Sequence, residues 1–350
     1  MWKFISRTLL VLFIILLVLV LRTLVEGGAF KSIEPHEEAP LSVINGMVGA
    51  EDITIDRSIR KALVSADDRR ANRGNIPRKG AIYLLDYFAT PPVVKDLTAD
   101  FDQRDFHPHG ISLYQDTGDS TKWVFVVNHR DGGQHFIEIF QFTDSSLIYK
   151  ESIFDPAICS PNDVVGVGKR QFYFTNDHDQ SGGIERWEDY LMIGTAQVGY
   201  FDGKQVEIFD TDLGYGNGIN ISNDGQTLYV ACSTGKNIIS YDRTTHKRTG
   251  TLDCGTGLDN IEVDPTGNLW VGCHPKMLAF AAHAKNGAKR SPSQVLMIQP
   301  NDGDFSKSTI TEVYLNDGNP LSGSSAATID GNVLLIGTVF DDGVGMLKRQ

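Results

Sequence analysis

The sequence predicts an all-β chain folded as a six-bladed β-propeller. Three observations lead there: one phrase recurs six times, the copies stand about 50 residues apart, and glycine is rich, at 35 of 350 residues. The phrase runs polar residue, small or acidic residue, aliphatic, any, aliphatic, turn, then a second apolar strand. Its copies are "EDITIDRSIRKALVSAD" from Glu51, "HGISLYQDTGDSTKWVFVVNH" from His109, "NDVVGVGKRQFYFTND" from Asn162, "NGINISNDGQTLYVAC" from Asn217, "DNIEVDPTGNLWVGCH" from Asp259 and "SAATIDGNVLLIGTVF" from Ser325. Aligned at the residue before the first aliphatic, they fall at Asp52, Gly110, Asp163, Gly218, Asn260 and Ala326, with differences of 58, 53, 55, 42 and 66 by subtraction. Alternating apolar residues around Asn-Gly, Asp-Gly and similar turns read as strand–hairpin–strand. One such unit cannot bury both faces alone, whereas blades around an axis bury them against each other.

The first segment stands apart. Leu9–Leu21 is a continuous apolar run of 13 residues, preceded by Lys3 and Arg7 and followed by Arg22. That length suits a signal-peptide core; extended to Val25 it reaches the lower limit of a membrane span, about 17 residues. Two readings stand: an uncleaved signal anchor contacting a membrane or lipid surface, or a cleaved leader giving a secreted protein. In both, the basic flank stays inside and the rest is exported. Residues 1–29 are therefore expected to form this segment and residues 30–350 one propeller. Roughly 320 residues accommodate six blades, and no linker, low-complexity tract or charge run marks a further domain.

Composition excludes some functions. The net charge of −12 argues against nucleic acid, which needs a basic face. The four cysteines, Cys159, Cys232, Cys254 and Cys273, show no zinc-type spacing, and none is near enough to either end to tie the termini together. No G-x-S-x-G elbow occurs, and "GSS" at Gly323–Ser325 lacks the strand-to-helix context of a serine nucleophile. The sequon at Asn220 lies in an expected inner strand, a poor place for a glycan.

The polar residue heading each phrase carries the functional expectation. In a propeller the innermost strands line a central tunnel, so equivalent positions in six blades converge. The converging set is Glu51, Asp52, His109, Asn162, Asp163, Asn217, Asp259, Asn260 and Ser325. Carboxylates and amides are the hard oxygen donors that Ca²⁺ takes, about six to eight at a time. Crowded carboxylates would repel one another without a cation. The plain alternative is that each caps a turn.

These residues, together with "FHPHGIS" (Phe106–Ser112), "VVNH" (Val126–His129), "FTNDHD" (Phe174–Asp179), "LDNIEVD", "LWVGCHP" (Leu269–Pro275) and "LLIGTVF" (Leu334–Phe340), resemble the serum paraoxonase/arylesterase family, collinearly from about Val43 to Phe340. The resemblance implies a six-bladed propeller with two Ca²⁺ ions in its tunnel, one catalytic and one structural, hydrolysing lactones and aryl esters. It implies that Glu51, Asn162, Asn217, Asp259 and Asn260 hold the catalytic ion. Asp52, Asp163 and the backbone carbonyl of Ile111 would hold the structural one. His109 and His129 match the family's histidine dyad, and His274 matches a histidine at the substrate pocket. Asp259 as nucleophile or base is the alternative to the dyad. The segment "GGIERWEDYLMIGTA" (Gly182–Ala196), with Ile184, Trp187, Tyr190 and Leu191 on one helical face, resembles the family's lid helix. That face would meet lipid or an acyl substrate, or pack on the rim. The chain departs from serum members in lacking cysteines at its ends, so ring closure would rest on strand pairing. Two other functions compete: a gluconolactonase-type hydrolase of sugar lactones, and a calcium-stabilised binding propeller without turnover.

Overall fold

The computed structural model describes residues 2–37, 39–74, 78–101, 105–116, 118–179 and 185–349. Six antiparallel sheets form the blades. Blades 1 to 4 each take four consecutive strands, beginning with the inner strands Ala50–Asp56, Pro108–Gln115, Pro161–Gly168 and Gly216–Ile221. Blade 5 begins at Gly257–Val263 and blade 6 at Ser324–Asp330. The uneven repeat steps have a physical cause. Helix α2 (Arg69–Arg73) is inserted in blade 1, α3 (Glu185–Leu191) in blade 3 and α4 (Met277–Lys285) in blade 5, while blade 4 is four uninterrupted strands.

Ring closure is made by strand pairing. The outer strand of blade 6 is Ser42–Val48, from the start of the propeller, paired antiparallel with Asp342–Lys348: Ser42 opposes Met346 and Ile44 opposes Val344. The Asp342 carboxylate accepts the Gly46 and Met47 amides at 2.8 and 2.9 Å. His36–Glu37 adds a short fifth strand to blade 5 against Leu315 and Tyr314. All four cysteines are free thiols, and Cys232 and Cys273 are buried in the core.

The core lies between blades. Ile53, Val64 and Leu85 of blade 1 pack with Ala326, Leu335 and Val344 of blade 6. Phe125 and Ile139 of blade 2 meet Phe172, Phe174 and Phe201 of blade 3. Each blade is thus buried on both faces, and second strands such as Lys61–Ala66 and Leu269–His274 are buried along nearly their whole length.

The apolar N-terminal segment is one helix, α1 (Trp2–Glu26). It is longer than the 13-residue run indicates: Phe4–Glu26 comprises 23 residues, apolar and unburied. At about 1.5 Å per residue this exceeds the roughly 30 Å hydrocarbon thickness of a bilayer. Its length and composition fit a signal anchor or a signal peptide. Its C-terminal end rests on the propeller. Thr23 donates to the Tyr190 carbonyl of α3 at 2.7 Å, Lys236 pairs with Glu26 at 2.5 Å, and Leu278 N donates to the Gly27 carbonyl at 3.1 Å.

Candidate active site at the propeller hub

A backbone irregularity common to all six blades builds the hub. Every inner strand has one extra residue at the same height: between Ala50 and Asp52, Pro108 and Ile111, Pro161 and Val164, Gly216 and Ile219, Leu258 and Ile261, and Ser324 and Ala327. A β-bulge breaks the two-residue alternation and re-aims side chains. The polar heads of the six phrases sit at these bulges, so consecutive residues such as Asn162–Asp163 and Asp259–Asn260 are both buried polar groups. Small residues make room: a Cβ on Gly110 would fall 2.4 Å from the Asp163 carboxylate, and one on Gly218 would fall 2.6 Å from Asn260 Cα.

The expected ligands of the catalytic ion come together. Asn260 Nδ2 donates to Glu51 Oε1 at 2.8 Å, joining blades 5 and 1. Asn217 Nδ2 donates to Ser233 Oγ at 3.1 Å. With these amide nitrogens tied, the oxygens are left over. Glu51 Oε2 and the Oδ1 atoms of Asn162, Asn217 and Asn260 are buried without a hydrogen-bond partner. An unsatisfied buried polar atom costs about 1–3 kcal/mol. Four at one hub, all oxygens on residues of one expected ligand set, fit a hard cation. The fifth member, Asp259, accepts from His274 Nε2 at 2.7 Å. Among the described residues no three His, Cys, Asp or Glu side chains gather as a metal cluster. The set here has two carboxylates and three amides, a composition that suits Ca²⁺ and not a soft metal.

The second expected set is built differently. Asp52 accepts from the amides of Ile53 and Ile111, both at 2.8 Å, and Asp163 from those of Val164 and Ile219 at 2.7 and 2.8 Å. The Ile111 and Ile219 bonds cross from blade 1 to 2 and from blade 3 to 4. Burial raises both carboxyls well above their usual range; the charges of Asp163 and Glu51 push Asp52 further, and those of Glu51 and Glu262 push Asp163. Glu262, on the blade 5 inner strand, is itself pushed up to about 8 by burial, against Arg57 and Thr54. Such a cluster binds protons or a cation. Ile111 takes part through its amide, as one of the Asp52 donors. Ser325 is also at the hub, where its hydroxyl donates to the Glu51 carbonyl oxygen.

The electrostatics of Glu51 differ. Burial opposes its charge, but His109, Arg69 and the Asn260 amide outweigh burial and hold it at about 2. Arg69 Nη2 lies 3.7 Å from Glu51 Oε2 and donates to the Pro108 carbonyl at 3.3 Å. Nothing in the repeat pattern pointed to Arg69, which arrives on the inserted helix α2. Its signal is "DDRRANR", where Asp68 caps the helix by accepting from Ala71 N at 3.0 Å.

His109 Nδ1 stands 2.8 Å from His129 Nε2, the contact expected of the dyad, and His109 Nε2 faces Glu51 Oε1 at 3.5 Å. Burial holds His129 well below its usual range, with His109 and His135 adding to the effect. A third histidine, unforeseen from the sequence, extends the pair: His129 Nδ1 lies 2.9 Å from His135 Nδ1. His274 is buried, stacked on Phe280 at 3.7 Å, and holds Asp259. His178 bridges Asp177 and Asp189, two carboxylates that line the cleft, at 2.9 and 3.0 Å. Burial opposes its protonation, yet the two carboxylates carry it up to about 10.

Glu51, Asn162, Asn217 and Asp259 line one cavity of about 590 Å³ together with His107, His109, His129 and His274. Polar groups form its floor: Glu51, Asn162, Asn217 and Asp259. Its upper wall is apolar, from Met277, Phe280, Ala281 and Ala284 of α4 with Val339 and Phe340. Arg70 ties α2 to α4 through the His283 carbonyl at 2.9 Å and to blade 6 through the Phe340 carbonyl at 3.1 Å. The expected lid helix is found as α3, shorter than the stretch read for it. Trp187 is 68% exposed, Tyr190 and Leu191 are half-buried, and Ile184 lies outside the described residues. The second mouth helix, α4, was missed. Asn220 is bonded at both ends of its amide: Nδ2 donates to the Ile261 carbonyl at 2.8 Å and Oδ1 accepts from Ile221 N at 2.9 Å.

Fold and site together define a six-bladed propeller whose hub gathers uncompensated oxygens beneath a half-apolar cleft. The sequence model described as Arylesterase matches residues 74–344. The chain is 34% identical over 329 residues to serum paraoxonase/arylesterase 1 of Homo sapiens, covering 89% of this chain and 90% of that protein. It is 36% identical over 327 residues to serum paraoxonase/arylesterase 2 of Gallus gallus, at the same coverages. It is 32% identical over 325 residues to serum paraoxonase/lactonase 3 of Oryctolagus cuniculus, again covering 89% and 90%. The chain belongs to the arylesterase family. Among solved structures, a luciferin-regenerating enzyme is similar with a TM-score of 0.56 at 11% identity, over 89% of this chain and 95% of that one. The PQQ domain of pyranose dehydrogenase from Coprinopsis cinerea gives 0.54 at 11% identity, over 90% and 98%. These two show the fold alone.

Proposed function

We propose that this chain is a calcium-dependent hydrolase of lactones and aryl esters, working outside the cytosol in a single propeller domain carried by α1. The observation that carries the reading is the set of four orphaned buried oxygens at the hub: those of Glu51, Asn162 and Asn217, which line the cleft, and that of Asn260, which is bonded to Glu51. With Asp259 they would hold the catalytic ion. Asp52 and Asp163, with the Ile111 carbonyl, would hold a second, structural ion. The catalytic Ca²⁺, when bound, supplies a Lewis acid that polarises a carbonyl and stabilises the oxyanion.

The chain's own groups do the rest. His109 Nε2 faces the hub and takes a proton from water; its Nδ1–H donates to His129 Nε2, which fixes the tautomer. Burial keeps His129 neutral and able to accept. His274 anchors Asp259, and His109, with Nε2 3.5 Å from Glu51 Oε1, is the base on the cleft. The α4 face with Phe340 covers the acyl or aryl part and excludes water from it. Because α1 ends against α3 and α4, an anchored helix would set the cleft close to a lipid surface.

The apolar upper wall favours this reading over a sugar-lactone hydrolase. Phenyl acetate and a medium-chain aliphatic lactone are expected to show kcat/KM at least about tenfold above gluconolactone, since one or two buried methylenes already give that discrimination. Steady-state kinetics on the three substrates checks it. A higher kcat/KM for gluconolactone would overturn the substrate class.

A further inference from the structure

The three-histidine row beside the cleft has a member that the dyad does not use. His129 is the last residue but one of the second strand of blade 2 (Lys122–Arg130) and His135 the second residue of the third (Gln134–Phe142); they are directly opposed partners across the Asp131–Gly132–Gly133 turn. Both glycines take positive φ, 82° and 77°, which closes the hairpin tightly. The register places His129 Nδ1 2.9 Å from His135 Nδ1, with ring centroids 4.9 Å apart at 85°. His129 Nε2 is meanwhile 2.8 Å from His109 Nδ1. The row runs from the hub to the exposed turn: His135 is half-buried and its neighbours 131–134 are exposed.

We propose that His135 is the outer end of a proton relay, a positioning residue that acts through His129 and exchanges the reaction's proton with solvent. This rests on the hydrolase reading above, with His109 as base. Each hydrogen bond of the row needs one proton. With His109 Nε2 free to accept, Nδ1–H donates to His129 Nε2, His129 Nδ1–H donates to His135 Nδ1, and His135 bears its proton on Nε2. When water attacks the carbonyl, its proton goes to His109 Nε2. The His109 Nδ1 proton passes to His129 Nε2, the His129 Nδ1 proton passes to His135 Nδ1, and His135 Nε2 releases one to water. When the tetrahedral intermediate collapses and its C–O bond breaks, the sequence reverses: His135 Nε2 regains a proton, and His109 Nε2 gives one to the leaving alkoxide or phenolate. No proton stays on the row and no electron changes hands. Positive charge is moved away from the buried hub while the oxyanion exists. Burial holds His135 below its usual range, against the opposing charge of Asp177 of blade 3 and with His109 adding to the effect, so it passes the proton on to water and does not keep it.

His135→Gln in the full chain is expected to lower kcat for phenyl acetate about tenfold at unchanged KM, less than the 10²–10⁴ typical of the group that takes the proton itself. The solvent deuterium isotope effect on kcat should rise. Imidazole added to His135→Gly should restore turnover, an effect that a purely structural role would not give. Wild-type kcat and isotope effect in His135→Gln, with His129→Gln impaired, would overturn the relay and leave the dyad standing. Loss of turnover in His135→Gly without imidazole rescue would also overturn it. Full activity in both His109→Gln and His129→Gln would remove the dyad and the relay together.

Discussion

Glu51→Gln is expected to reduce kcat/KM by about 10³, the upper range for losing one preorganised electrostatic group, while the propeller stays folded. Glu51 is where the site's parts meet. One oxygen takes the Asn260 amide at 2.8 Å and faces His109 at 3.5 Å; the other is orphaned, 3.7 Å from Arg69. The substitution keeps shape and removes one of two carboxylates from the proposed ligand set. It halves the charge facing a divalent ion, and Ca²⁺ affinity follows ligand charge. Part of the loss should therefore return at raised calcium. Two measurements check this: kcat/KM across a calcium titration, and calcium affinity by calorimetry without substrate. Unchanged affinity would remove Glu51 from the set.

The second large effect is on stability. In the calcium-free fold, burial raises the Asp52 and Asp163 carboxyls above their ordinary value of about 3.8. The folded state then holds protons that the unfolded chain has already released at neutral pH. Stability from that proton uptake is fully present below the unfolded value and is lost as pH rises toward the folded one. A bound cation reverses the sign, because it needs both carboxylates ionised. Calcium-stripped protein should therefore melt at a lower temperature as pH rises from 4.5 to 7. The gap to calcium-loaded protein should widen by roughly 5–10 °C, as expected for binding worth a few kcal/mol. Thermal melts at both pH values, with and without calcium, check it. A gap independent of pH would place the stabilising ion elsewhere.

The repeat was legible because each blade carries its own local signal, a polar head, a period-two strand and a turn. The hub was legible because ring symmetry makes equivalent positions converge, whatever their distance in sequence. What was not legible depended on insertions and on register. Helices α2 and α4 interrupt blades 1 and 5 and bring Arg69 and Phe280 to the cleft, though neither belongs to the repeated phrase. The closing strand Ser42–Val48 pairs with residues some 300 positions away, with no local mark of its partner. The His129–His135 contact had a readable signal, "NHRDGGQH", in which a Gly-Gly turn sets the two histidines opposite each other. Alternation alone made His135 look like any polar residue of the strand.

The most direct test of the central claim is hydrolysis of phenyl acetate and a medium-chain lactone by the full chain, after chelation with EGTA and after calcium is restored. Activity lost on chelation and regained with Ca²⁺ is the predicted result. Turnover that persists in EGTA, or a chain that takes up calcium and hydrolyses neither substrate, would contradict the account.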